Sequence, residues 1–294
     1  MRVFVTGATG FVGSAVVRDL LDAGHQVIGL ARNDAAARAL AAAGAQVHHG
    51  DLTDPDSLRR GAAEADGVIH TGFIHDFTRF KENCEIDRAA IAALGAALAG
   101  SDRPLIITSA TGLLAGRGMA TEDMGVPAGP HPNPRVASEQ ATMALAETGL
   151  RVMLMRLPPS VHGDGDHGFV PILINHARQT RLSAYPGEGA NLWPAVHRLD
   201  AARLYRLAIE NGTAGTRYHA VAEEGVPFRD IAAVIGRRLG LPVAPAAADH
   251  FGWFAHFAGM DNPSSSAATR QALGWRAVQA GLLADLDDPR YFTT

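Results

Sequence analysis

Cysteine occurs once, at Cys84, and a lone thiol closes no intrachain disulfide and builds no cysteine-based zinc cluster. Cys84 reads as a small buried residue on a helix. Lysine is equally scarce: Lys81 is the only one, so arginine supplies nearly all of the positive charge. No apolar run approaches the roughly 20 residues that span a bilayer. The N-terminus runs straight into a strand, without the charged, apolar and cleavage regions of a secretory signal. A cytoplasmic location with no membrane partner is therefore expected. A net charge of -4 leaves no basic excess for binding nucleic acid. With 47% hydrophobic and 19% charged residues the chain is not of disordered composition. Its 294 residues suffice for one large α/β domain carrying a smaller lobe.

What is present is concentrated first in Thr6-Gly7-Ala8-Thr9-Gly10-Phe11-Val12-Gly13. An apolar strand, Met1 to Val5, precedes it, and a stretch of helical spacing, Ser14 to Leu21, follows. A glycine-rich turn between strand and helix is suited to holding a phosphate. Gly7 permits the tight turn, Gly10 lets backbone approach a pyrophosphate, and Gly13 lets helix and strand close up. The free N–H groups and dipole of the helix then face the anion. Thr6, Gly7, Thr9, Gly10, Phe11, Val12 and Gly13 are the first candidate cofactor contacts.

Further strands are expected at Gln26–Ala31, Gln46–His49, Gly67–His70, Pro104–Thr108 and Arg151–Arg156. Helices are expected between them at about 35–43, from Pro55, at 79–99 and at 136–148. Strand and helix alternate, which demands a parallel sheet covered on both faces: an α/β, Rossmann-type doubly wound fold with a smaller C-terminal substrate-binding lobe. Residues 1–160 read as the dinucleotide-binding domain, with 195–221 returning to it, and 161–194 with 222–294 as the lobe. In such folds the end of the second strand discriminates between cofactors. An acidic residue there favours NAD, but this chain has Ala31-Arg32-Asn33. Arg32 offers a forked cation to a 2′-phosphate, so NADP is expected, with NAD the less favoured alternative. Asp51 and Leu52, after the third strand, are placed for the adenine.

These motifs, with Gly50-Asp51-Leu52, Val68-Ile69-His70-Thr71-Gly72, Thr108-Ser109-Ala110-Thr111, Arg156-Leu157-Pro158-Pro159-Ser160-Val161-His162-Gly163 and Ala195-Val196-His197-Arg198-Leu199-Asp200, resemble the extended short-chain dehydrogenase/reductases of the nucleotide-sugar epimerase and dehydratase branch. The resemblance implies further cofactor contacts at His70, Thr71, Gly72, Thr108, Leu157 and Pro158, and a catalytic hydroxyl at Ser109, with Thr111 two residues on. It also implies a homodimer through the helices at 79–99 and 136–148, which carry Leu94, Leu98, Met143 and Leu145. Members of that family usually carry Tyr-x-x-x-Lys before the sixth strand. Here Arg135 stands at the tyrosine position and Glu139 at the lysine position, and none of Tyr185, Tyr205, Tyr218 or Tyr291 has a lysine four residues on. The chain is thus similar to the atypical members that keep the cofactor site and lose the catalytic pair.

A proton must then come from elsewhere. His162 follows the sixth strand, and an imidazole is a competent acid or base near neutrality. Arg135 and Glu139, at i and i+4, either pair with each other or serve the site, Arg135 toward ribose or substrate and Glu139 toward the cofactor. The candidates for the chemistry are Ser109, Thr111, His162 and Arg135; for the substrate they are Phe73, Trp193 and His197. The run His162-Gly163-Asp164-Gly165-Asp166-His167 lacks the spacing of established zinc sites, and no metal is expected. The expected function is NADP-dependent reduction or dehydrogenation of a small, apolar carbonyl or conjugated compound. A redox-sensing NADP-binding protein with little turnover is the alternative.

Overall fold

The computed structural model describes residues 1–293. Its first half alternates as β1 (Arg2–Thr6), α1 (Phe11–Asp22), β2 (Gln26–Ala31), α2 (Asp34–Ala43), β3 (Gln46–His49), α3 (Pro55–Ala63), β4 (Gly67–His70), α4 (Phe80–Leu98), β5 (Leu105–Ala110), α5 (Val136–Glu147) and β6 (Val152–Leu157). The central strands are apolar at successive positions because helices cover both faces: Val3 to Val5, Leu105 to Ile107 and Val152 to Met155 are all buried. Local chemistry sets the helix ends. Asn33 accepts from Ala36 N–H to start α2, and Asp54 accepts from Asp56 and Ser57 N–H ahead of Pro55 to start α3.

The second half is more interrupted: β7 (Ser160–His162), α6 (Phe169–Thr180), β8 (Ser183–Pro186), β9 (Leu192–His197), α7 (Arg198–Asn211), β10 (Arg217–His219), β11 (Glu223–Pro227), α8 (Phe228–Leu239), β12 (Val243–Ala246), α9 (Ala255–Ala258), α10 (Ala267–Leu273) and α11 (Leu282–Leu286). β10 pairs parallel with β6 and completes a seven-stranded sheet in the order β10-β6-β5-β4-β1-β2-β3, while α7 lies against α1. The remaining strands form a three-stranded sheet, β11-β9-β7, and a two-stranded pair, β12-β8. The strand order reverses between β1 and β4, and the crevice at their carboxyl ends is where ligands bind in open α/β sheets.

Two expectations change here. Trp193 is not a substrate wall: it is fully buried, ringed by Phe228, Phe169 and Phe254 at 5.0, 6.0 and 6.1 Å between centroids. Alternation along β9 turns it into the lobe core. Leu94 and Leu98, offered for a dimer face, are also fully buried, and Leu145 lies where a Cβ on Gly95 would stand. These leucines join α4 and α5 within one chain, so the helix residues expected to join two copies are largely consumed inside the monomer. No helix among the described residues is long and apolar enough to cross a membrane.

Candidate active site

The glycine loop and the loop after β4 are pressed together at the β1/β4 crevice. Gly7 has φ +64, and a Cβ on it would stand 2.7 Å from the Gly72 nitrogen. A Cβ on Gly13 would stand 2.0 Å from the Gly7 carbonyl oxygen, so no side chain fits at either position. Gly10 starts α1 with no side-chain cap, and Thr9 and Gly10 are exposed, with Phe11 and Val12 half-buried. The first N–H groups of α1 are thus open to an anion. Arg32 is exposed at the end of β2. Beside it, Asp51 accepts from Thr53 N–H and Oγ1 at 2.9 and 2.7 Å. Those bonds, helped by the Arg32 charge, hold its carboxyl below the usual range. Leu52 reaches Gly72, whose added Cβ would lie 3.1 Å from it. Backbone cradle, free helix start and cationic rim together fit a dinucleotide.

Thr6 and His70, expected to touch the cofactor, are instead interior, with 0% and 1% exposure. Gly72 N–H donates to Thr6 Oγ1 at 3.2 Å. That hydroxyl then donates to His70 Nδ1 at 2.7 Å, and Nε2–H donates to Asp87 at 3.0 Å. Thr71 Oγ1 donates to the Thr6 carbonyl at 2.8 Å, and Thr108 Oγ1 to the His70 carbonyl at 2.7 Å. These hydroxyls lock the strand ends to one another. Of the two residues expected after β6, Leu157 is partly exposed and Pro158 is buried.

Arg135 opens α5 and points at the same chain of bonds. Its Nη1 pairs with Asp87 and donates to Ser138 Oγ at 2.6 Å, while Nη2 donates to the Thr108 carbonyl at 3.1 Å. The guanidinium lies 4.2 Å over the Phe73 ring. Asp87 is 2% exposed. Burial alone would raise its carboxyl pKa, but Arg135, His70 and Ser138 outweigh burial and hold it far below the carboxylate range. Asp87 was not anticipated, although α4 carries the signal. Cys84, Asp87, Ile91, Leu94 and Leu98 recur every three or four residues, all buried, and a carboxylate on such a stripe must have a partner.

Glu139, offered as a partner of Arg135 or a cofactor contact, is instead turned into the interior. It is 0% exposed and pairs with Arg156, itself 0% exposed; Arg156 Nε donates to it at 3.2 Å. Arg156 Nη1 also donates to His219 Nε2 at 3.1 Å, and His219 Nδ1–H donates to the Ser265 carbonyl at 2.8 Å. Burial and the Arg156 charge push His219 down to about 4, keeping it neutral and able to accept. Ser109, 4% exposed, donates its proton to Glu139 at 3.2 Å, so that proton is not free for a substrate carbonyl. Thr111 is fully buried, with Oγ1 2.8 Å from the Asn262 amide. It ties the end of β5 to the loop before α10.

His162 is likewise withdrawn, at 1% exposure. Its Nδ1 is 2.8 Å from Asp285, which also accepts from Tyr291 OH at 3.1 Å. Its register partner His197 is half-exposed; it caps α7 by accepting from Leu199 N–H at 3.2 Å and stands 5.4 Å from the His162 ring. Of Ser109, Thr111, His162 and Arg135, therefore, only Arg135 is not fully buried, its side chain being 13% exposed.

Comparison with known proteins decides the family. Residues 3–221 match the model of the NAD dependent epimerase/dehydratase family. The chain belongs to that family. It is 50% identical to an uncharacterized protein of Schizosaccharomyces pombe, over 99% of this chain and 100% of that one. It is 30% identical to the 2-alkyl-3-oxoalkanoate reductase of Stenotrophomonas maltophilia, over 82% of this chain and 77% of the relative. In fold it is similar to the dTDP-glucose 4,6-dehydratase DesIV of Streptomyces venezuelae, solved with NAD and TYD bound, with TM-score 0.76, 23% identity and coverage of 98% and 95%. Within the epimerase/dehydratase fold, positions 135 and 139 are thus filled by two inward-facing charges.

Asp87→Asn is expected to lower the unfolding free energy by about 3–5 kcal/mol at neutral pH, since it leaves the Arg135 charge buried without its counterion. A depressed carboxyl pKa contributes stability above the unfolded value, about 3.9, and loses it as pH falls below that value. The wild type should therefore show a steeper acid limb than the variant. Urea midpoints from neutral pH to about 3 test this; parallel limbs would show that Asp87 is not held as described.

Proposed function

We propose that this protein is an NADP-dependent reductase of a small, apolar carbonyl or conjugated compound. The observation that carries the reading is Arg135, a guanidinium fixed by Asp87 and Ser138 beside the β1/β4 crevice. Exposed Arg32, with no acid at the end of β2, supports NADP over NAD. The similarity to a 2-alkyl-3-oxoalkanoate reductase supports a carbonyl bearing apolar arms. When bound, the cofactor supplies the hydride. Arg135 donates N–H to the carbonyl oxygen and stabilises the negative charge that develops there. Such a preorganised donor is worth about 10²–10³-fold.

A guanidinium does not surrender its proton. We assign the proton to His75, on the loop between β4 and α4. Its ring centroid lies 5.2 Å from that of Phe73 in an edge-to-face contact, the same ring that carries Arg135. Open to solvent yet walled by Phe73 and Phe77, it is held below the ordinary histidine value by that partial burial and by the charges of Arg135 and His167. Delivery then requires the imidazolium, so reduction accelerates as pH falls through this lowered value.

The burial of Ser109, Thr111 and His162 favours a second reading, a redox sensor that binds NADP with little turnover. NADPH consumption across ketones, enones and 3-oxo acids separates the two: binding without oxidation of NADPH on any of them rejects the reductase. Arg135→Gln should cut kcat/KM about a hundredfold. Arg32→Ala should weaken NADPH binding far more than NADH binding, equal losses contradicting the NADP assignment. His75→Gln should flatten the acid rise of kcat/KM, and an unchanged pH profile would move the proton elsewhere.

A further inference from the structure

A ladder of rings runs from Arg135 to the solvent. Phe73, under the guanidinium, meets His75 at 5.2 Å, and His75 meets Phe77 at 6.5 Å. Phe77 then stands 5.9 Å from both Trp253 and Phe257. The first three rings belong to the loop after β4, and the last two to the turn at 248–254 and to α9, so the ladder crosses from the sheet domain to the lobe. Its far end is open: Trp253 is 62% exposed and Phe77 38% exposed, while the other two tryptophans, Trp193 and Trp275, are buried. A contiguous exposed aromatic surface that continues into a cleft marks a binding site.

The charge balance narrows the ligand. At the inner end of the ladder the Arg135 guanidinium is already paired with one carboxylate, Asp87. The lobe side of the wall, residues 248–260, contains no lysine or arginine. We infer that the cleft takes an elongated, uncharged aryl or conjugated carbonyl compound, its oxygen at Arg135 and its flat body along Phe77 and Trp253, and not a nucleotide-linked sugar. This substrate class rests on the reading of the cleft as a reductase site.

Trp253 is itself the probe, because the buried tryptophans report little on a ligand in the cleft. The full chain saturated with NADP⁺, which permits binding without reduction, is titrated with chalcone, a 3-oxoalkanoate or UDP-glucose while tryptophan emission is followed. Chalcone should quench the emission saturably, and Trp253→Phe should remove most of that signal. Phe77→Ala should raise the dissociation constant measured by calorimetry, and the KM for chalcone with NADPH, about tenfold, with a smaller change in kcat. A saturable response to UDP-glucose or the 3-oxoalkanoate with none to chalcone overturns the inference. So does chalcone reduction whose KM is unchanged in both Phe77→Ala and Trp253→Ala, and that result leaves the reductase reading intact. Chalcone binding through Trp253 without NADPH oxidation does the reverse, supporting the ligand class and rejecting the reductase.

Discussion

Asp87, a carboxylate almost closed to water, is the point on which the geometry of the cleft depends. It receives His70 from the end of β4 and Arg135 and Ser138 from α5, and through His70 it is tied to Thr6 at the glycine loop and to the Gly72 N–H of the loop after β4. Taking a carboxylate and a guanidinium out of water costs several kcal/mol for each ion, and only good geometry with further hydrogen bonds offsets the cost. Those bonds are present on both partners. The consequence is stiffness: Arg135 cannot swing away without leaving Asp87 short of its counterion, so its remaining donors are held in fixed directions.

The second inward charge of α5 does different work. Glu139 holds Arg156 on β6, and Arg156 holds His219 on β10, so the pair fastens the edge strand to the sheet. His219 must stay neutral to accept from Arg156, and the same arginine that needs it as an acceptor disfavours its protonation. One helix turn therefore sends one charge to the cleft and another to the sheet edge. A salt bridge between the two, which i, i+4 spacing allows, gives way because each finds a buried partner with better hydrogen bonding.

How much of this was legible in the sequence follows from how local each signal is. The first six strands are continuous apolar runs because both faces are covered, and the glycine loop is set by backbone sterics within eight residues; both are readable without tertiary knowledge. β7, β10 and β11 are three to five residues long and mix in histidine, arginine and glutamate, so nothing in their pattern announces a strand. Residue type also marks candidates without giving direction. Ser109, Thr111 and His162 have suitable chemistry, yet they turn toward Glu139, Asn262 and Asp285, partners 30 to 151 positions away. His75 and Trp253 are not legible as a pair for the same reason, since they belong to one ring ladder only after the lobe has folded back over the β4 loop.

On the reductase reading proposed above, an arginine where the family usually carries a tyrosine divides the labour of reduction differently. A phenol can stabilise charge on the substrate oxygen and then hand over its proton from the same atom. A guanidinium performs only the first task, because it keeps its proton throughout the working pH range. The proton must then come from a group close enough to the same oxygen to follow the charge, yet not so tightly paired that it is withheld. His162 fails on the first count, closed off at 1% exposure with Asp285 on its Nδ1. His75, the donor proposed above, shares Phe73 with Arg135, and burial together with the Arg135 charge disfavours its imidazolium. Burial first, and the fixed cation that organises the cleft second, lower the pKa of this neighbour.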